Sequence, residues 1–205
     1  METESAAEQL AREAFVTAAR KLAEEFGSAT ATAIAALDRP GAPREDKHPS
    51  LFRPGQMRRR LDQLTETHKR YGHPFGLVVF DVEGPDARAD GGGGGRETTL
   101  AVVGAALHDS VRLVDETFRL QEDALCVLAP NQTTVEGVQM AERLLAMLDD
   151  LEAAGGLQIA VSAGVAACPD HGTDAETLLR KADEAMWRAR AVGQPVGVGT
   201  LPAYA

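Results

Sequence analysis

The sequence predicts an α/β fold in which helices flank a central mixed β-sheet. Three observations carry that expectation. Segments of helical period alternate with short apolar runs along the chain, which is how strands covered by helices read. One run, 75–80, is continuously apolar, and 157–166 reads as a second buried strand, the pattern of strands covered on both faces. Two further runs, around 116–120 and 124–129, are joined only by Gln121, Glu122 and Asp123, a connection short enough for a hairpin.

The elements follow in order. Residues 5–37 read as one long helix. Ser5 and Glu8 form a capping box, and Leu10, Phe15, Ala18, Leu22, Phe26, Ala29, Ala33 and Leu37 recur at helical spacing. Gly27 weakens its middle. The stripe is narrow and rich in alanine. Such a stripe suits either packing on its own domain or pairing with another helix, and pairing is preferred because an N-terminal extension has little local core to bury against. Residues 1–37 are therefore a candidate segment for homodimerisation or for docking a protein partner. Residues 38–54, with Pro40, Gly41, Pro43, Pro49 and Pro54, read as a linker, and 55–200 as the folded domain.

Within that domain a helix is expected over 56–70, with Met57, Leu61 and Leu64 on one face, before the strand Phe75–Phe80 that ends in Asp81. Residues 84–98, with five glycines from Gly91 to Gly95, read as a mobile loop. The run lacks the Lys-Ser/Thr ending of a phosphate-cradling loop. Helical period returns over 98–108, and the hairpin follows. A helix over 133–150 carries Val138, Ala141, Leu144, Leu145 and Leu148 on one side. After the strand 157–166, residues 174–191 form an amphipathic helix through Leu178, Leu179, Ala182, Ala185, Met186 and Ala189, and a short strand is expected at 195–199.

Bulk properties narrow the function. The 205 residues are 44% hydrophobic and 25% charged, as in globular proteins with a buried core. A net charge of −10 opposes a broad nucleic-acid face; the one dense basic run, Arg58-Arg59-Arg60, reads as a solvated helix face. No apolar run approaches a membrane span, and the acidic, polar N-terminus does not read as a signal peptide. The two cysteines, Cys126 and Cys168, have no metal or redox spacing. Cys126 reads as a small core residue, and a cytoplasmic, reducing setting is expected.

Several motifs then converge. Ala182-Asp-Glu-Ala-Met-Trp-Arg-Ala-Arg-Ala-Val-Gly193 resembles the C-terminal signature of GGDEF domains, and Val161-Ser-Ala-Gly-Val-Ala166 resembles the strand before it. Val111 to Leu120 is similar to the R-x-x-D segment that leads into the signature hairpin. Asp81-Val82-Glu83 stands where the family has D-x-D, and Arg53 to Met57 where it has N-R-R-x-F. The resemblance covers about 48–199 and implies the diguanylate cyclase fold, nucleotide cyclase-like.

The resemblance also implies chemistry. A diguanylate cyclase condenses two GTP molecules into cyclic di-GMP, with carboxylates holding a divalent metal at the phosphates. Asp81 takes the position of the first metal ligand and Asp123 that of the signature's metal carboxylate, so Mg²⁺ at these two is conceivable; equally, Asp81 can cap a strand end and Asp123 serve as a turn residue. The signature itself reads Gln121, Glu122, Asp123, Ala124 and Leu125. Glutamine and glutamate cannot give the positive φ and close phosphate approach of the two glycines, and Glu122 places negative charge before a polyanion. The segment that should read guanine is replaced by Pro85 to Asp90 and the glycine run. Arg190 replaces a lysine, keeping charge but not geometry, and the arginine and asparagine after Gly193 are Gln194 and Pro195. No catalytic residue set is expected, and no cofactor is required.

One element is kept. Arg112-Leu-Val-Asp115, five residues before Gln121, matches the inhibitory site that binds cyclic di-GMP in this family, and Arg143, in an Ala-Glu-Arg context, stands where the family adds an arginine. A guanidinium can grip phosphate and the guanine edge bidentately. Arg112 and Asp115 can also be ordinary helix-end and strand-start residues. The expected function is that of a catalytically inactive cyclic di-GMP receptor using Arg112, Asp115 and Arg143. The alternatives are a dimerising scaffold that binds no nucleotide, and an enzyme for another nucleotide with a residual metal site. Trp187 is expected to be a core aromatic.

Overall fold

A computed structural model describes residues 54–83, 94–121, 123–155 and 159–201. The expectations for the helix over 5–37, the linker, the glycine-rich stretch through Gly93 and Glu122 lie outside the described residues.

Among the described residues, nine elements run in the order α1 (Pro54–Tyr71), β1 (Phe75–Glu83), α2 (Gly94–Ser110), β2 (Glu116–Arg119), β3 (Ala124–Pro130), α3 (Thr134–Gly155), β4 (Ala160–Cys168), α4 (Ala175–Ala191) and β5 (Val196–Val198). They form the expected mixed sheet flanked by helices. The strand order is β2-β3-β1-β4-β5. β2 pairs with β3, β3 with β1, and β1 with β4, all antiparallel; β5 joins β4 in parallel.

The apolar run of β1 reflects its position at the centre, because alternate side chains feed two separate cores. Val78, Phe80 and Val82 point to one face, where α2 brings Leu100, Val103 and Leu107 and α3 brings Leu144 and Leu148. Phe75, Leu77 and Val79 point to the other, against Met57 and Leu61 of α1 and Leu178, Ala182 and Met186 of α4. Cys126 is fully buried in that second core, where burial pushes its thiol well above the ordinary range. The same cause holds the Cys168 thiol up at about 11.

Local chemistry sets the helix starts. Before α3, the Thr133 N–H and hydroxyl both donate to the Glu136 carboxylate at 2.8 Å, and the Glu136 N–H donates back to the Thr133 hydroxyl at 3.4 Å, a capping box. Before α4, Asp174 accepts the Thr177 N–H at 2.9 Å. Arg58 and Arg59 lie on the outer face of α1, Arg58 paired with Asp62 along the helix at 3.3 Å. Arg60 turns inward and pairs with Glu116 at the start of β2.

The closest packing lies between α4 and the β4–β5 edge. Gly164 and Gly197 are direct partners in the parallel register. A Cβ on Gly164 would stand 2.0 Å from the Ala182 carbonyl oxygen, and one on Gly197 2.0 Å from that of Ala185. The two glycines form a floor without side chains on which the alanine-rich face of α4 lies backbone to backbone. Helix phase then sends Trp187 outward. It is 52% exposed, which corrects the expectation of a core aromatic: Met186 takes the inward position.

Candidate functional site

Two groups of side chains bear on function, at opposite ends of the sheet. The first gathers where β1 ends beside the β2–β3 hairpin. Asp81 sits in register between Ala124 on β3 and Ser162 on β4. The Asp123 carbonyl accepts the Val82 N–H at 2.9 Å, which ties the hairpin to β1 and brings Asp81 and Asp123 to the same end of the sheet. The turn is closed by the Leu120 N–H donating to the Ala124 carbonyl at 2.8 Å. Ala124 and Leu125 are buried, and Leu125 belongs to the core beneath α2 and α3.

Into this end comes Arg190 from the last turn of α4. Its Nη1 donates to Asp81 Oδ2 at 2.5 Å, and its Nη2 pairs with Glu83. The same guanidinium lies over the Trp187 ring, 5.1 Å from its centroid, a cation–π contact. Sequence reasoning identified Arg190 as a replacement but not as the partner of Asp81 and Glu83. The pair spans 109 residues, and no local spacing rule reaches that far.

The fit of a divalent cation can be tested on these groups. Mg²⁺ demands near-octahedral oxygen coordination and usually keeps several waters. Here Asp81 and Glu83 both face one guanidinium, and among the described residues no three His, Cys, Asp or Glu side chains converge as a metal set. The arrangement as it stands does not fit a bound Mg²⁺.

The second group lies on the turn between α2 and β2. The Arg112 N–H donates to Asp115 Oδ2 at 3.1 Å, and the Asp115 N–H donates to the Arg112 carbonyl at 2.9 Å. This double closure folds residues 112–115 tightly and draws the Asp115 carboxylate inward. Asp115 is 7% exposed, and among the described residues no donor reaches its Oδ1. Burial holds its carboxyl above the ordinary aspartate range, against the opposing pull of the Arg112 N–H bond and the charges of Arg112 and Arg143. Arg143 reaches over from α3, where its Nη1 donates to the Ser110 carbonyl at 3.0 Å at the end of α2. Between Arg112 and Asp115, Leu113 is fully exposed and Val114 is 58% exposed. Arg112 and Asp115, on one turn, are thus joined there by Arg143 from further along the chain.

The family model for the diguanylate cyclase GGDEF domain matches residues 51–195. The chain belongs to the GGDEF family. Among curated proteins, this GGDEF domain is 29% identical over 136 residues to PdeR, a cyclic di-GMP phosphodiesterase of Escherichia coli K12, covering 65% of this chain and 18% of that protein. The chain therefore spans less than a fifth of that relative's length. Among solved structures, the GGDEF domain of YfiN (TpbB) from Pseudomonas aeruginosa superposes with a TM-score of 0.63 at 20% identity, over 75% of this chain and 99% of that one. The GGDEF domain of DgcB from Caulobacter crescentus, solved in complex with c-di-GMP, gives 0.60 at 15% identity, over 78% and 96%. These likenesses show the shared fold. No described helix is long and apolar enough to cross a membrane.

Proposed function

We propose that this GGDEF domain does not condense GTP and acts instead as a receptor for cyclic di-GMP, held at Arg112, Asp115 and Arg143. The observation that carries the reading is the chemistry of the α2–β2 turn. A buried carboxylate oxygen that no donor reaches among the described residues, Oδ1 of Asp115, lies within the electrostatic reach of two arginines. A buried acceptor left unmatched costs about 1–3 kcal/mol. A guanine amide and amino group supply the donors such an oxygen lacks, while guanidinium groups answer phosphate and the guanine edge. Leu113 and Val114 add exposed apolar surface for a stacked base to cover. DgcB, of the same fold, was solved with c-di-GMP bound.

Loss of synthesis rests on the other end of the sheet. The signature hairpin carries Gln121, Glu122, Asp123, Ala124 and Leu125, so the backbone cannot approach a triphosphate as paired glycines allow. Asp81 and Glu83 are matched to Arg190 rather than presented to a metal-bound nucleotide.

Isothermal titration of the purified chain with cyclic di-GMP, alongside GTP with Mg²⁺, tests both halves. Saturable binding at about micromolar affinity or tighter, abolished by Arg112→Ala, is expected with cyclic di-GMP, together with no dinucleotide product from GTP. Absence of heat with cyclic di-GMP overturns the receptor and leaves a dimerising scaffold as the use of the fold. Formation of cyclic di-GMP from GTP overturns the loss of synthesis.

A further inference from the structure

We propose that the guanidinium of Arg190 is a resident counter-ion that stands in for a divalent cation at the end of β1, and thereby excludes metal from that pocket. The inference concerns Asp81, Glu83 and Trp187 and is independent of any ligand at Arg112.

Four features make Arg190 an occupant rather than an incidental surface partner. First, its two terminal nitrogens divide between two different carboxylates, Asp81 and Glu83, so one cation bridges both as a metal would. Second, Asp81 is the better buried member, its side chain 13% exposed against 34% for Arg190 and 47% for Glu83. Water screens a charge less at such a position, and an unpaired carboxylate there is costly. Third, the Trp187 ring braces the guanidinium from the side, which limits its swing toward solvent. Fourth, α4 lies close on the sheet edge, its backbone resting directly on Gly164 and Gly197, which sets the root of the arm near β1.

The charge balance also favours exclusion. An incoming Mg²⁺ would have to displace a bidentate organic cation and shed tightly held waters at the same time. Cutting the arm away removes one positive charge from beside Asp81 and Glu83, so the pocket should then attract a cation.

The single tryptophan of the chain gives a local readout. Tb³⁺ seeks carboxylate oxygens, and its emission is sensitised by an aromatic ring close by; excitation at the red edge of indole absorption, where tyrosine absorbs little, selects ions beside Trp187 over those beside Tyr71 or Tyr204. Tb³⁺ is titrated into the wild-type chain, Arg190→Ala, Arg190→Met and the double variant Arg190→Ala/Asp81→Asn, with Mg²⁺ as competitor. Circular dichroism identifies which variants are folded, and Arg190→Met keeps an apolar stem beside Trp187 where the alanine is tolerated poorly. The expected result is sensitised emission in the folded single variants at a half-saturating concentration at least ~10-fold below that of wild type. Mg²⁺ should compete it away, and Asp81→Asn should abolish it. Two results overturn the proposal. One is Mg²⁺-competed emission in wild type within that ~10-fold range. The other is failure of the folded single variants to gain a site.

Discussion

Replacing Gly164 by alanine adds one methyl group where α4 has left no room for it. The new Cβ would lie 2.0 Å from the Ala182 carbonyl oxygen, 2.7 Å from the Met186 nitrogen and 2.8 Å from the Met186 Cβ. Non-bonded heavy atoms rest at about 3.5 Å or more, so the helix must retreat by roughly 1 Å or the sheet edge must bend. Two of the three opposing atoms belong to the backbone and cannot rotate aside. A retreat also lifts Leu178, Ala182 and Met186 from the core they share with Leu77 and Val79. Overpacking of this kind costs about 1–3 kcal/mol, and a backbone clash belongs at the upper end. At about 2–4 °C per kcal/mol for a domain of this size, a loss of about 3 kcal/mol lowers Tm by roughly 6–12 °C. Urea and thermal unfolding followed by circular dichroism measure it. Gly193→Ala is the control. Its φ is +69° and nothing lies within 4 Å of the added carbon, so only left-handed strain of about 1–2 kcal/mol applies. A Gly164→Ala loss below about 1 kcal/mol, or one no larger than the control's, refutes the backbone-contact account.

Two further outcomes concern pH. Because burial raises the Asp115 carboxyl in the folded chain, the unfolded chain loses this proton first as pH rises past about 3.9, and Asp115 lowers stability from there upward. Asp115→Asn, which keeps an acceptor for the Arg112 N–H, should therefore compare more favourably with wild type at pH 7 than at pH 3.5 in urea titrations; the reverse ordering would show that the carboxylate is net stabilising. His171 has the opposite sign. Burial, which dominates, and the charge of Lys181 lower its pKa against the pull of Asp170 and of a backbone bond to Gly199. Its Nδ1 accepts the Ala167 N–H at 2.9 Å, a bond available only to the neutral ring. Stability should fall as pH drops below about 6.5, and the slope between pH 7 and pH 5 should flatten in His171→Gln; an unchanged slope would assign the pH dependence to other groups.

Periodicity made the elements of the domain legible, and tertiary contacts moved their ends. β1 was expected to end at Asp81, but it continues to Glu83 because β4 pairs with it as far as Ala160. β4 was expected over 157–166; the strand runs from Ala160 to Cys168, since its partner Phe75 lies opposite Cys168. α2 begins at Gly94, inside the glycine run, where intrinsic propensity argues against a helix. The hairpin was legible because three polar residues between two apolar runs leave few alternatives. Trp187 was misjudged because a large aromatic was taken for core without regard to helix phase. Ala182, Ala185, Met186 and Ala189 define the buried face, and the residue after Met186 falls off it. Of the candidate site residues, Arg112 and Asp115 were named from the family resemblance, and their three-residue spacing is what lets them close one turn. The contact of Arg190 with Asp81 and Glu83 was not legible, because it depends on how α4 registers against the sheet edge.

The hydrogen bond from Arg143 to the Ser110 carbonyl makes the end of α2 a rival for the same guanidinium. A cation satisfies the terminal carbonyls of a helix, so an anion that draws Arg143 to itself uncaps α2 at a cost of about 1 kcal/mol. The two equilibria are then linked: occupation of the turn loosens the last turn of α2, and anything that firms that turn weakens the grip on the ligand. Replacing Arg143 removes the rival together with the contact, so the affinity lost in such a variant understates what the guanidinium contributes when bound.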